Sequence, residues 1–263
     1  MDSLPALVEI RVGADVPPEY KNVSRKHKRD VRTPTLEMCR LLQCCRVLTH
    51  LRNLVLKDIT NTELEAVLAS CGRRLERLEV HYMSSGVDLS VINKLCSGLV
   101  SLNICNSRLF LTSHTKIFLP KLEQCRLMRV CYEEETEHIF LSRCGSVRTL
   151  HQEAGPGLTD QLVCSLVTGG SLQALGQSLS CSSSLSCSSS LSSLFHTEQL
   201  VINGDCLLTS QSVLSLMELP HLTKLGDIQD WSITEEARRQ LFSLTESKWK
   251  RRMGQTRNII IDD

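Results

Sequence analysis

Leu51-Arg52-Asn53-Leu54-Val55-Leu56 holds apolar residues at its first, fourth and sixth positions. The same spacing returns as Leu75, Leu78 and Val80, as Leu99, Leu102 and Ile104, and as Leu122, Cys125 and Leu127. It continues as Val147, Leu150 and Gln152, then Leu172, Leu175 and Gln177, then Thr197, Leu200 and Ile202, and finally Leu222, Leu225 and Asp227. The starts at 51, 75, 99, 122, 147, 172, 197 and 222 lie 24, 24, 23, 25, 25, 25 and 25 residues apart. A constant period of this size is the signature of a stacked repeat. Twenty of the 24 slots are apolar, Gln152, Gln177, Thr197 and Asp227 being the exceptions, in a chain that is only 41% apolar overall. The pattern therefore comes from position and not from composition.

A second feature keeps step. Three residues before the starts stand Leu48, Cys96, Leu119, Cys144, Gly169, Leu194 and Leu219, with Cys71 one residue out of place. This slot is expected to be buried where the chain turns back into the next strand, and Cys serves there as a small hydrophobe. Helix signals fill the gaps. Thr62-Glu63-Leu64-Glu65 reads as a capping box followed by Val67 and Leu68 at helical spacing, and Ser232-Ile233-Thr234-Glu235 reads as another. Thr159 precedes Leu162, Val163, Leu166 and Val167, and Ser210 precedes Val213, Leu214 and Met217. Each unit reads as a short strand, a turn and a helix of about ten residues. One unit cannot bury its own leucines, so units must stack into a parallel sheet with helices outside and one continuous core.

The pattern resembles the leucine-rich-repeat superfamily, in particular the repeat region of F-box and leucine-rich-repeat proteins. The residues that carry this are Leu64 to Val80 (LEAVLASCGRRLERLEV), Cys96 to Ile104 (CSGLVSLNI) and Cys144 to Leu150 (CGSVRTL), within a resemblance spanning residues 35–245. It implies an α/β fold, a right-handed β-α horseshoe solenoid with the sheet on the concave face and helices on the convex face. The Asn or Cys usual eight residues after the first leucine is missing. Ile59, Met83, Ser107, Val130, Gly155, Ser180, Asp205 and Asp230 stand there, so the turn must satisfy its backbone differently. No F-box pattern occurs in these residues.

Around the array, residues 1–12 read as a degenerate first repeat, with Leu7, Ile10 and Val12 on strand slots. Residues 13–34 read as an exposed charged loop carrying three prolines, and residues 246–263 as a polar C-terminal tail. Residues 178–193 contain the tandem CSSSLS; because the unit around them keeps its length of 25, they are expected to occupy the outer-helix position without adding to it.

The sequence carries no catalytic or cofactor signature: no phosphate loop, nucleophile elbow or HExxH helix. Cys125, Cys131, His138 and Cys144 are spaced C-x5-C-x6-H-x5-C, which fits no common zinc pattern, so no metal is expected. Glu133, Glu134, Glu135 and Glu137 read as a solvated helix start. With 30 Lys+Arg against 29 Asp+Glu, the chain lacks the basic excess of a nucleic-acid binder. No apolar run suits a membrane span. Thirteen cysteines without a compact framework read as reduced thiols in a cytoplasmic protein, the basic run KNVSRKHKR at 21–29 being the nuclear alternative.

What remains is surface. Residues between slots should project from the concave face, because side chains alternate along a strand. Arg52, Asn53, Lys57, Glu76, Arg77, Glu79, His81, Asn103 and Arg126 are the candidate partner-binding set. The resulting expectation is a monomeric, non-enzymatic module that holds a protein partner. The resemblance implies the substrate-recognition region of an SCF-type (F-box) ubiquitin-ligase receptor, with a ligase adaptor entering only through an F-box upstream of Met1. The alternative is a stand-alone repeat scaffold or regulator unrelated to ubiquitin.

Overall fold

The computed structural model describes residues 9–12, 36–83, 85–112, 119–133, 136–142, 145–153, 159–168, 194, 196–203, 208–226, 232–236, 239 and 260–262. The charged segment 13–34 and the Ser-rich segment 178–193 lie outside them. In chain order the elements are β1 (Glu9–Val12), α1 (Leu36–Val47), β2 (Asn53–Lys57), α2 (Asn61–Cys71), β3 (Arg77–His81), β4 (Val87–Asp88), α3 (Leu89–Leu95), β5 (Ser101–Cys105), β6 (Arg108–Phe110), β7 (Gln124–Met128), β8 (Cys131–Tyr132), α4 (Thr136–Leu141), β9 (Thr149–Glu153), α5 (Asp160–Thr168), β10 (Gln199–Asn203), α6 (Ser210–Leu216), β11 (Lys224–Gly226) and β12 (Ile260–Asp262).

Nine strands form one parallel sheet in the order β1-β2-β3-β5-β7-β9-β10-β11-β12, so each unit lies beside the next. The slots read from the sequence are in register. Leu54 pairs with Leu78, Leu78 with Leu102, Leu102 with Cys125, Cys125 with Leu150, Leu150 with Leu200 and Leu200 with Leu225. Ile10 and Val12 pair with Leu54 and Leu56, extending the same columns into β1. Leu51, Leu75, Leu99, Leu122, Val147, Thr197 and Leu222 are all buried, in step with the first slot. Leu64, Val67 and Leu68 of α2 join the same core. The slot side of the sheet is thus covered by helices, and each fully buried leucine contributes roughly 2 kcal/mol of transfer free energy.

The turn into each strand is a repeated device. Leu51, Leu75, Leu99, Leu122 and Thr197 donate their N–H to the carbonyls of Leu48, Gly72, Cys96, Leu119 and Leu194, at 2.9–3.3 Å. Gly72, not Cys71, holds the turn position in the second unit; a Cβ there would stand 2.7 Å from the Leu95 carbonyl oxygen. Cys71 instead closes the last turn of α2, where it is buried.

The strands end by another device. Asp58, Tyr82, Asn106 and Arg129 all adopt φ of 51–56°. This left-handed residue swings the next side chain inward, and Ile59, Met83, Ser107 and Val130 are buried there. Ser107 replaces the missing Asn: its hydroxyl accepts from Met83 N at 3.1 Å and donates to Cys105 O at 2.9 Å. Because the chain leaves the strand so abruptly, α2 starts earlier than its sequence suggests. The capping box is Thr60 with Glu63, not Thr62 with Glu65. Likewise Thr209, not Ser210, caps α6, whereas the Thr159 hydroxyl accepts from Leu162 N at 3.4 Å as read.

Two expectations are overturned. First, β9 is hydrogen-bonded directly to β10, with Leu150 opposite Leu200. The unit assigned to Leu172, Leu175 and Gln177 therefore adds no strand between them. Their helices are neighbours as well. The Asp160 carboxylate accepts from Thr209 N at 2.8 Å and from the hydroxyls of Thr209 and Ser212, and Cys164 Sγ lies 3.0 Å from Ser215 Oγ. Burial pushes the Asp160 carboxyl up, but these hydrogen bonds outweigh it and hold the group below its ordinary range. Residues 169–193, including the Ser-rich tandem expected at an outer-helix position, lie outside the described residues. Second, the tail ends in a strand, Ile260 and Ile261 facing Lys224 and Leu225 of β11, as befits a β-branched run.

The acidic run also departs from its reading. Glu137 is 4% exposed and accepts a hydrogen bond from Gln152, the polar residue in a core slot of β9. The slot needs a polar partner, and α4 supplies it. Burial pushes the Glu137 carboxyl up to about 7, against a smaller lowering by Gln152.

Two outcomes follow. Excising residues 169–193 shortens the 50 residues between Val147 and Thr197 to 25, one period. The shortened chain should unfold in one transition, with stability unchanged or raised by about 1 kcal/mol, checked by urea titration. For Glu137, the folded state holds a proton that the unfolded state releases above its ordinary value of 4.5, so stability falls between about pH 4.5 and about pH 7. The stability difference between Glu137→Gln and the natural protein should grow by about 3 kcal/mol across that window, in favour of the variant at the alkaline end.

Candidate functional site

The face of the sheet away from the core presents the residues between the slots. Side chains alternate, so Asn53 and Val55 of β2, Arg77 and Glu79 of β3, Ser101 and Asn103 of β5, Gln124 and Arg126 of β7, and Thr149 and His151 of β9 share one surface. Together they line an open groove of about 430 Å³ crossing five strands.

The groove is amphoteric. The Arg126 guanidinium donates through Nε and Nη2 to Nδ1 of His151, at 3.4 and 3.3 Å. This contact joins neighbouring units across the groove. Glu79 pairs with His81 on its own strand. The Cys105 thiol donates to Asn103 Oδ1 at 3.3 Å, and burial, then the Glu79 carboxylate, push its pKa up.

Of the nine candidates, Asn53, Arg77, Glu79, Asn103 and Arg126 line this groove. Arg52 and Glu76 stand one residue before β2 and β3, where they pair with each other at 3.4 Å. Lys57 and His81 sit at the C-terminal ends of those strands, at the groove's margin. Thr149 and His151 are additional lining residues. Their signal was the register itself, two and four residues past the slot at Val147, in a unit whose polar Gln152 obscured it.

The side chains suggested as a metal cluster diverge. Cys125 is buried in the core and Cys131 is exposed; the His138 side chain and Cys144 lie outside the described residues. Among the described residues no group of three or more His, Cys, Asp or Glu side chains is arranged to hold a metal ion, and no helix is long and apolar enough to cross a membrane.

No protein-family model matches the chain, and no curated protein matches it. Among solved structures it is similar to an internalin from Listeria monocytogenes, a leucine-rich-repeat protein, with a TM-score of 0.50 over 82% of this chain at 14% identity. The chain spans about half of that protein, 48% of its length. At this identity the likeness speaks for the fold.

Burial separates the thiols. Desolvation pushes Cys96 up to about 12, whereas Cys44 and Cys131 are exposed. Alkylation of the folded protein, read peptide by peptide in a mass spectrometer, should modify Cys44 and Cys131 at least about tenfold faster than Cys96 and Cys125.

Proposed function

On this leucine-rich-repeat fold, we propose that the chain is a non-catalytic protein-interaction module whose open sheet face takes a protein partner. The observation that carries this reading is the groove of about 430 Å³ across five strands, lined by side chains of both charges and by neutral amides and hydroxyls. An enclosed small-molecule pocket is apolar with a few convergent polar groups. A broad mixed surface instead suits a partner whose own donors and acceptors are spread over several units. Arg77 and Arg126 are the natural anchors, because an arginine that can stack and donate in a fork concentrates binding energy.

The finer reading is the substrate-recognition region of an SCF-type ubiquitin-ligase receptor. Its support is the resemblance carried by the buried cysteine before the strand, seen at Cys96 before β5. A stand-alone scaffold is the other form of the same module. Co-purification of the ligase adaptor with the product of the complete natural transcript separates them. A cytoplasmic protein is proposed on the eight free thiols among the described residues.

Arg77→Glu combined with Arg126→Glu should weaken capture of the natural partner by about 10- to 100-fold. Crosslinking-assisted purification from cells, quantified against the natural chain, measures it, with far-UV circular dichroism controlling for folding. Equal capture would move the site off the sheet face.

A further inference from the structure

Three buried cysteines sit on neighbouring units: Cys45 on α1, Cys71 at the end of α2 and Cys96 just after α3. With α1 packed on α2, the thiols of Cys45 and Cys71 meet and are hydrogen-bonded to each other. Cys71 Sγ also lies 3.3 Å from the Val67 carbonyl oxygen. Its S–H therefore has two acceptors, that carbonyl and the Cys45 sulfur. The guanidinium of Arg74 stands beside the pair. Its Nη2 donates to the Cys45 carbonyl at 2.6 Å, and its Nε is buried with no hydrogen-bond partner among the described residues.

This arrangement makes the two thiols unequal. The hydrogen bond from Cys71 holds the Cys45 thiol below its ordinary range; burial opposes this, and the positive charge of Arg74 adds to it. The same contact, and then burial, push the Cys71 thiol up. A low thiol that forms the thiolate beside a high one that keeps its proton is the division between an attacking and a resolving cysteine. Cys96, pushed up by burial alone, does not compete as the attacking group.

We propose that Cys45 and Cys71 form a peroxide-oxidisable dithiol whose disulfide staples α1 to α2. The Cys45 thiolate attacks one oxygen of hydrogen peroxide, the O–O bond breaks, and Cys45 becomes a sulfenic acid as hydroxide leaves. The Cys71 sulfur then attacks the Cys45 sulfur and the S–OH bond breaks. The Cys71 proton leaves with that hydroxyl as water. The first hydroxide takes up the proton that Cys45 gave, so two thiols and one peroxide yield one disulfide and two waters. Burial selects the oxidant. Both sulfurs are closed to a bulky disulfide, whereas Cys44 and Arg46 on either side of Cys45 are exposed, which puts a small oxidant one residue away. In a reducing compartment such a disulfide is transient. The site lies on the helical side of the sheet, apart from the sheet-face groove, and stands whatever that groove binds.

The test is treatment of the reduced full chain with about ten equivalents of hydrogen peroxide, followed by alkylation in denaturant and non-reducing peptide mapping. The expected result is a predominant Cys45–Cys71 cross-link, a mass lower by about 2 Da and reversal by a dithiol reductant. Hydrogen exchange of the α1 amides should slow at least about tenfold in the oxidised chain. Cys44→Ser should keep the cross-link, which excludes the neighbouring exposed thiol as its origin. Cys71→Ser should leave Cys45 as a sulfenic acid, trapped by dimedone at least about fivefold more than in the natural chain. Arg74→Gln should slow the cross-link at least about threefold. The proposal is overturned if Cys45 and Cys71 are recovered as thiols while Cys44 and Cys131 are oxidised, or if the same cross-link forms in equal yield in the urea-unfolded chain. Exchange in α1 that is unchanged by the cross-link overturns the staple.

Discussion

One backbone interaction orders everything else: the carbonyl just past each first slot accepts two amides from the next unit. Arg52 O takes Glu76 N at 2.8 Å and Arg77 N at 3.0 Å, and the carbonyls of Glu76, Val100, Glu123, Arg148 and Glu198 do the same in turn. A forked contact of this kind allows a single parallel register. Once register is set, each first slot lies beside the next, the following slots fall into columns, and the core is continuous from β2 to β11. A one-residue slip would turn every slot outward. The glycine at position 72 belongs to this constraint, since the neighbouring Leu95 carbonyl passes where a Cβ would be.

The core tolerates polar residues where a neighbouring unit completes them. Thr197 occupies a first slot, fully buried, and its hydroxyl donates to the Val147 carbonyl at 3.2 Å. Gln152 fills a strand slot and is met by Glu137 from α4. Asp88 caps α3 through Ser90 N at 2.8 Å while its other carboxylate oxygen accepts from the Thr112 hydroxyl. Asp160 does the equivalent between α5 and α6. Apart from the Asp88–Ser90 cap, these contacts run from unit to unit, so they stabilise the stack as an array of nearest neighbours.

The surface inherits the same regularity. Columns that are apolar on one side of the sheet are rows of varied polar residues on the other, and another set of rows at the strand entry. Two histidines 25 residues apart in the chain become stacked rings because their units are adjacent. Arg126 reaches His151 for the same reason. What each row can bind depends on which residues vary, and the scaffold beneath need not change.

Periodic burial made the core legible. A position that faces the interior in every unit must be apolar in nearly every unit, so Leu54, Leu78 and Leu102 could be aligned by spacing alone, and with them the sheet, its direction and the residues between the slots. The extra copy at Leu172 shows the limit. Leu172 and Leu175 keep the spacing, but whether a segment joins the sheet depends on hydrogen bonds to neighbours, and β9 and β10 bond to each other. The cap of α2 shifted because the left-handed exit from the strand at Asp58, a backbone conformation, sets where a helix begins. Glu137 looked like surface because its partner is 15 residues away on a strand. The amino-acid order determined which faces are apolar and how often they recur, since burial acts on residue type. Which units touch, which side chains meet across them, and where the grooves lie were decided only by the tertiary structure, since those depend on distances between residues far apart in the chain.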